Sequence, residues 1–213
     1  MIVQDLGSMA YQEAWARQEL AHKQVLAGTE EQLLLVEHPP VITFGRRPGG
    51  DRNLLASQAA LDQLKVEVVQ SDRGGDITFH GPGQIVAYPI IRLIDHHLSV
   101  GAYVRRLQEI VIATLAEFGV PAFRDESAIG VWVHDAGTPA KICALGVRIR
   151  KGVSLHGIAL NVETDLSYFD LIVPCGLAGR GVTSMRKVLG HACPSIERVR
   201  AELSGRMIEG FAM

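Results

Sequence analysis

The sequence has few cysteines, few aromatic residues and no long apolar run, and each shortage excludes a class of protein. Its three cysteines, Cys143, Cys175 and Cys193, are odd in number and widely spaced, so no disulfide framework and no CxxC pair is present. The longest apolar runs fall well short of the roughly 18 residues that span a membrane. The N-terminal residues lack the basic segment and apolar block of a signal peptide. We therefore expect no membrane association and a cytoplasmic protein, in a compartment where thiols stay reduced.

Neither sign of charge dominates the chain. The 21 basic and 23 acidic residues give a net charge of −2, which argues against a nucleic-acid partner because such proteins usually carry a basic excess. HExxH, paired Cys and His at zinc spacing, the phosphate-binding P-loop and GxGxxG are all missing, so we expect no metal and no cofactor. The 47% hydrophobic content is typical of a globular chain, and the length predicts a single domain over residues 1–213.

Apolar spacing predicts a chain in which strands outnumber helices. Helical spacing follows Ser8, Ser99 and Ser195, which are suited to cap helices, and Gly28 and Gly119 supply the ends of the first two. Several of the strands are joined by hairpin-like turns, so we predict an α/β domain of two layers, with a mixed, largely antiparallel sheet and flanking helices. The remaining predicted elements are a short helix over 54–64 and strands over 32–37, 41–44, 66–70, 77–79, 84–93, 130–134, 140–150 and 153–162.

A glycine-rich segment, RGGDITFHGPGQ at 73–84, is the most unusual stretch of the sequence. Its four glycines permit backbone to approach a ligand closely, and Arg, Thr, His and Gln side chains stand beside them. One interpretation is a ligand-binding loop; the alternative is a simple turn, of hairpin type at Gly81-Pro82-Gly83, between two strands. His80 and His156 each precede a glycine, and for either one a structural role is the alternative to a functional one.

One cysteine and one lysine are candidates for chemistry. Cys175 lies between Pro174 and Gly176, a context that indicates a turn and an accessible thiol. Cys143 falls inside an apolar strand and is expected to pack, and Cys193 receives no role. Lys141 begins a predicted strand, where most lysines are simply solvated. From these residues alone, the chain is either an enzyme that uses a cysteine nucleophile or a protein whose thiol is passive.

Five blocks of the sequence carry a resemblance to a known family. The run RGGDITFHGPGQIVAYPI at 73–90 closely resembles the signature of the lipoyl(octanoyl) transferases, which belong to the biotin/lipoate protein ligase superfamily. The other blocks stand in the family's order, and no functional position departs from its pattern. They are LLLVEHPPVITFGR at 33–46, AKICALGVRI at 140–149, LHGIALNV at 155–162 and VPCGLAGRGVTSM at 173–185.

The resemblance implies both a fold and an activity. The fold would be that of the catalytic domain of biotin and lipoate protein ligases. The enzyme would move an octanoyl group from octanoyl-acyl carrier protein to a lysine ε-amino group, the first step of endogenous protein lipoylation. The acceptors would be lipoyl domains of the E2 subunits of 2-oxoacid dehydrogenases and the glycine cleavage H protein.

The family pattern also assigns residues. The nucleophile, which would carry the octanoyl group as a thioester, falls on Cys175, and the lysine that activates it falls on Lys141. The acyl-binding positions implied by the resemblance are Arg73, Gly74, Gly75, Asp76, Ile77, Thr78, Phe79, His80, Ala144, Leu145, Gly146, Gly157, Ile158 and Ala159.

Two alternatives to this activity remain at the level of sequence. One is an ATP-dependent lipoate or biotin protein ligase, which needs no nucleophilic cysteine; the other is a catalytically silent acyl-binding domain. The joint presence of Cys175 and Lys141 favours the transferase, whose thioester donor removes the need for ATP. Because acyl carrier proteins are acidic and this chain is nearly neutral, we predict a local basic patch for docking. Its candidate members are Arg46, Arg47, Arg148, Arg150 and Lys151.

Overall fold

The structure, a computed structural model, describes residues 1–173 and 180–212. Within these ranges the largest element is a mixed sheet of eight strands. Its strands pair antiparallel except for two, the edge strand β1, which runs parallel to β2, and the short β11, which runs parallel to β9. In spatial order the sheet contains β1 (Ile2–Ser8), β2 (Gln32–Glu37), β6 (Gln84–Ile90), β10 (Val153–Asn161), β9 (Thr138–Arg150), β8 (Ala128–Asp135) and β7 (Ala122–Asp125), with β11 (Gly181–Val182) beside β9.

A second, three-stranded sheet contains the one strand, β5 (Thr78–His80), that lies within the glycine-rich segment. It consists of β3 (Val41–Phe44), β4 (Glu67–Gln70) and β5, with β3 in the middle. The prediction of a hairpin at Gly81-Pro82-Gly83 was therefore wrong, because β5 pairs with β3 and β6 pairs with β2 and β10. The turn carries the chain from the small sheet to the large one.

The helices confirm two of the three predicted caps. In α3 (Val100–Glu117), the Ser99 side chain accepts a hydrogen bond from the backbone of Ala102 at 3.2 Å, and α5 (Ile196–Gly210) begins after Ser195 in the same way. Ser8 caps no helix because it is the last residue of β1 and pairs with Glu37. The remaining helices are α1 (Tyr11–Leu26), α2 (Gln58–Leu64) and α4 (Met185–Leu189).

The helices cover both faces of the large sheet. On one face α3 and α5 bury Leu107, Val111 and Leu203 against residues of β2, β6 and β10; on the other, α1 buries Ala14 and Val25. This mixed α/β architecture, with its largely antiparallel sheet and flanking helices, confirms the predicted fold class. The number of layers was wrong, because helices pack on both faces of the sheet and not on one. None of the described helices has both the length and the apolar content needed to cross a bilayer.

Candidate active site

Most of the acyl-binding positions expected from the resemblance line one cavity between the two sheets. The inner cavity, as we call it, brings the start of the glycine-rich segment together with the middle of β9 and β10. It is enclosed by Tyr11, Arg73, Gly75, Asp76, Thr78, His80, Val86, Tyr88, Ala144, Leu145, Gly146, His156, Gly157, Ile158 and Ala159.

Two of the expected positions point away from this cavity. Ile77 and Phe79 are fully buried in the core under the small sheet, and the Phe79 ring stacks on Tyr168 with 4.7 Å between centroids. Because successive side chains of a strand face opposite ways, Thr78 and His80 reach the cavity while their neighbours do not. Ile77 and Phe79 therefore pack in the core on the side of the strand that faces away from the cavity.

A second, outer cavity adjoins the first and reaches the surface. Its volume is about 680 Å³, within the roughly 300–1,000 Å³ of small-molecule pockets. Gly75, Asp76, Leu145 and Gly146 border both cavities, so the two are continuous there. The other residues that line the outer cavity are Arg46, Arg47, Gly74, Val100, Val104, Ser127, Ala128, Ile129, Lys141 and Val147.

Close contact between backbones explains the glycines at this junction. The Gly74 N–H donates to the Val147 carbonyl at 3.0 Å, which fastens the glycine-rich segment to β9. A Cβ at Gly146 would lie 2.8 Å from the Gly74 oxygen, and one at Gly45 would lie 2.2 Å from the Gly75 oxygen. Side chains at these positions would push the segment off its neighbours, so glycine here sets the shape of both cavities.

A buried cation forms part of the inner wall. Arg73 is 7% exposed, and its guanidinium donates to the Thr43 carbonyl at 2.6 Å, to Thr43 Oγ1 at 3.1 Å and to the Gly74 carbonyl at 3.0 Å. These bonds hold β3 and the glycine-rich segment together. A fixed positive charge at this wall favours negative charge on a group bound in the cavity.

A cluster of histidine and tyrosine rings borders the inner cavity; Tyr11, His80, Tyr88 and His156 line it, and His38 packs behind them. His38 Nε2 and the Tyr88 hydroxyl are hydrogen-bonded at 2.8 Å, and the His80 ring stacks on Tyr11 with centroids 5.9 Å apart. Burial lowers the pKa of His38 to about 4 and that of His156 to about 3, and it lowers the pKa of His80 well below its ordinary value. The imidazoles of His38 and His80 are therefore neutral near pH 7, whereas His156 donates from Nε2 to the Asp72 carboxylate at 2.6 Å, a contact that opposes the effect of burial. Sequence reasoning assigned no role to Tyr11 and Tyr88, although Tyr88 lies inside the quoted signature.

The lowered pKa values make stability depend on pH. A histidine whose folded pKa lies below its unfolded value of about 6.5 contributes stability that is present above that pH and is lost as the pH falls. His38 is fully buried, so we expect it alone to lower the free energy of unfolding by about 2 kcal/mol between pH 7.5 and pH 5. Urea unfolding at both pH values should show a smaller decrease for His38→Gln. The exposed His191→Gln is the control, and an unchanged decrease in His38→Gln would contradict the assignment.

Lys141 lies deep in the outer cavity. It is 6% exposed, so the simple solvated lysine considered from sequence is excluded. Its ammonium stands 5.0 Å from the centroid of the buried Trp132 ring, and the Arg180 guanidinium stands 5.1 Å from the same ring. A Cβ at Gly130 would come within 2.9 Å of Lys141 Cε. The Trp132 ring on one side and the space left by Gly130 on the other determine the direction of the Lys141 side chain.

Cys175 lies outside the described residues, as do the rest of 174–179. On one side of this stretch, the Val173 N–H donates to the Asn53 carbonyl at 2.7 Å, and the Asn53 amide donates to Asp76 at 2.9 Å. On the other side, β11 pairs Val182 with Lys141. The residues that precede and follow 174–179 therefore contact elements that line the cavities.

The two described cysteines do not suit nucleophilic chemistry. Cys143 is fully buried, and burial raises the pKa of its thiol, as expected for a packing residue. Cys193 is half-buried, and burial raises the pKa of its thiol too. Both thiols therefore stay protonated near pH 7, unlike a working thiolate.

Two of the five residues predicted to form a basic patch are paired with carboxylates of the same chain. Arg148 forms an ion pair with Asp72, and Arg150 forms a bidentate pair with Glu19 at 2.9 and 2.6 Å. Their charges are therefore neutralised within the chain. The partners lie 76 and 131 residues away in sequence, so the sequence did not indicate these pairs. Arg46 and Arg47 remain exposed, at the mouth of the outer cavity.

The glycine-rich segment provides a direct test of the inner cavity. Gly75 has φ +87° and borders both cavities, whereas Gly137, with φ +84°, sits in a turn with nothing within 4 Å of a new Cβ. Valine at either position meets the same backbone strain. We expect Gly75→Val to abolish octanoyl loading, measured by intact mass, and Gly137→Val to retain it. Equal loading by the two variants would place the acyl group elsewhere.

Solved structures of low sequence identity share this architecture. A bipartite lipoate protein ligase from Thermoplasma acidophilum superposes with a TM-score of 0.75 at 18% identity, over 98% of this chain and 82% of that one. A biotin protein ligase from Aquifex aeolicus does so with a TM-score of 0.56 at 12% identity, over 98% and 69%. The fold is thus that of lipoate and biotin ligase catalytic domains.

Sequence comparison then defines the family. The family model of the lipoyl protein ligase A/B catalytic domain matches residues 10–208, and the chain belongs to this family. An octanoyltransferase from Chloroflexus aurantiacus is 47% identical over 100% of this chain and 95% of its own length. An octanoyltransferase from Bacteroides thetaiotaomicron is 43% identical over 97% and 95%. These relatives support acyl transfer in lipoylation and do not favour the ATP-dependent ligase.

Proposed function

We propose that this chain, as one catalytic domain over residues 1–213, transfers octanoyl from octanoyl-acyl carrier protein to the ε-amino group of a lysine on a lipoyl-accepting domain. The acceptors would be the lipoyl domains of 2-oxoacid dehydrogenase E2 subunits and the glycine cleavage H protein. The observation that carries the proposal is the inner cavity, whose wall gathers the expected acyl-binding residues and which continues into the cavity that holds Lys141. The enzyme would work in the cytoplasm, because its thiol must stay reduced.

The first half-reaction is an exchange of thioesters at Cys175. The Cys175 thiolate attacks the carbonyl carbon of the donor, a new carbon–sulfur bond forms, and the bond to the carrier's sulfur breaks. The Lys141 ammonium stabilises the thiolate before attack. It then gives a proton to the departing carrier thiolate and becomes a neutral amine. Because one thioester replaces another, the step is close to balanced in free energy and needs no ATP.

The second half-reaction uses the neutral amine that the first one leaves. The acceptor lysine attacks the octanoyl thioester on Cys175, an amide forms, and the Cys175 thiolate departs. Lys141 takes the proton that the attacking nitrogen loses and returns to the ammonium form. Both groups are then in their starting state. The formation of an amide from a thioester is favourable and drives transfer forward.

Charge that develops on the carbonyl oxygen needs donors in place. The Gly74 N–H is already used, since it donates to the Val147 carbonyl. Within the described ranges the Gly75 N–H donates to no protein acceptor, and Gly75 borders both cavities, which supports this amide as an oxyanion donor beside the Arg73 charge. An amide near Gly176, the other site considered from sequence, lies outside the described residues.

Product formation without ATP tests this function. The enzyme is mixed with octanoyl-acyl carrier protein and an unmodified lipoyl domain, and the domain's intact mass is followed. We expect one octanoyl group per domain with no nucleotide present, and none when free octanoate and ATP replace the carrier-bound donor. Acylation only from octanoate with ATP would identify a ligase. Binding of the donor without any acylated product would identify a silent domain.

A further inference from the structure

Two exposed arginines of the outer cavity, Arg46 and Arg47, are hydrogen-bonded through their backbone to the glycine-rich segment. The Arg46 N–H donates to the Arg73 carbonyl at 2.9 Å, and the Arg47 N–H donates to the Gly75 carbonyl at 3.1 Å. Gly45 permits this approach, because a Cβ there would collide with the Gly75 oxygen. These bonds fix the backbone of the arginine pair relative to the glycine-rich segment.

The charge of this pair is not neutralised within the described part of the chain. Neither Arg46 nor Arg47 has a carboxylate oxygen of a described residue within 4.0 Å. Asp76 is the one acidic residue in the lining of the outer cavity as described. Its two oxygens already accept hydrogen bonds from the Ile77 N–H at 2.7 Å and the Asn53 amide at 2.9 Å. The mouth of the cavity therefore favours an anion.

Exposure of the lining residues gives an order from the surface inward. Arg46, Arg47 and the apolar side chains of Val100 and Ile129 are exposed and line the outer cavity. Lys141 is buried in the same lining, and the inner cavity adjoins the outer one at Gly75 and Gly146. A ligand that matches this order has an anionic group at one end, a long slender middle, a reactive centre, and an acyl chain at the other end.

We propose that Arg46 and Arg47 bind the phosphate of the 4′-phosphopantetheine arm that carries the octanoyl group, with the arm lying in the outer cavity. The inference rests on the proposed function and specifies how the donor is recognised. The phosphate would be held by charge-assisted hydrogen bonds from the two guanidinium groups. The arm would then deliver its thioester to the junction beside Lys141, and the octanoyl chain would enter the inner cavity.

Two small donors that differ by a single phosphate test the proposal. Octanoyl-4′-phosphopantetheine and octanoyl-pantetheine are compared by the kcat/KM of octanoyl loading onto the enzyme, followed by intact mass. For the unaltered enzyme we expect the phosphorylated donor to be favoured about 10-fold or more, because two charge-assisted bonds are gained. In Arg46→Gln with Arg47→Gln the ratio should fall to about 1. The exposed Arg17→Gln on α1, which lines neither cavity, should keep the ratio of the unaltered enzyme.

Several outcomes would overturn the phosphate site. A ratio near 1 in the unaltered enzyme would show that the phosphate is not recognised, and a preserved ratio in the double variant would place its partner elsewhere. A defect of the double variant with octanoyl-acyl carrier protein, but with no change in the small-donor ratio, would assign the arginines to the acidic carrier surface instead. Loading from octanoyl-acyl carrier protein but from neither small donor would show that the carrier surface is recognised instead of the arm, and would overturn this site alone. Loading from none of the three donors would contradict the proposed function as well.

Discussion

Replacement of Cys175 by alanine is expected to abolish both the octanoyl adduct and turnover. In the proposed reaction the octanoyl group is bonded to the Cys175 sulfur between the two transfers, and no other described thiol can take its place. Loss of a covalent nucleophile typically costs at least about 10³-fold in kcat. The measurement is intact mass after mixing with octanoyl-acyl carrier protein: the unaltered enzyme should gain one octanoyl group, which hydroxylamine removes, and Cys175→Ala should gain none.

The other two cysteines provide matched controls. Cys193→Ala removes a half-buried thiol whose pKa burial raises, and Cys143→Ala removes a fully buried one. Neither lies where the proposed reaction needs a sulfur, so both variants should still form the adduct. An adduct that persists in Cys175→Ala, or that disappears in Cys193→Ala, would move the nucleophile to another residue.

Substitution of Lys141 should have the second-largest effect and should separate its two roles. Lys141→Met keeps much of the volume packed against Trp132 but removes the ammonium, so the pKa of the Cys175 thiol should rise and its alkylation near pH 7 should slow. Transfer should fall by about 10²–10⁴-fold, the usual contribution of a positioned proton donor and acceptor. Lys141→Arg keeps the charge but does not deprotonate, so it should restore alkylation far better than transfer.

The pH profile of alkylation distinguishes this role from a purely structural one. A loss of packing alone would reduce the rate at every pH, whereas the loss of a charge beside the thiolate shifts the profile to higher pH. The exposed Lys187→Met, which removes the surface ion pair with Asp135, should leave the profile in place. Identical profiles for the unaltered enzyme, Lys141→Met and Lys141→Arg would disprove the pairing of Lys141 with Cys175.

Local sequence determined much of the fold and the chemical candidates. The helix after Ser99 and the strands over 32–37 and 41–44 were predictable because apolar spacing, a capping hydroxyl and the stop at Gly119 all act within a few residues. The glycine-rich segment, Lys141 and Cys175 were evident from their immediate neighbours and the family signature. Strand β1 was missed because it is a largely exposed edge strand, so its residues lack the alternation that burial of one face imposes.

Tertiary structure alone decided which of these residues meet and in what state. A turn signature shows that the chain reverses, but only long-range pairing places β5 and β6 in different sheets. The same packing turns Thr78 and His80 into the inner cavity, and burial keeps the His80 imidazole neutral. It also pairs Arg148 with a carboxylate 76 residues away while Arg46 and Arg47 stay exposed at the mouth of the outer cavity. Burial and charge pairing depend on groups distant in sequence, so no local pattern encodes them.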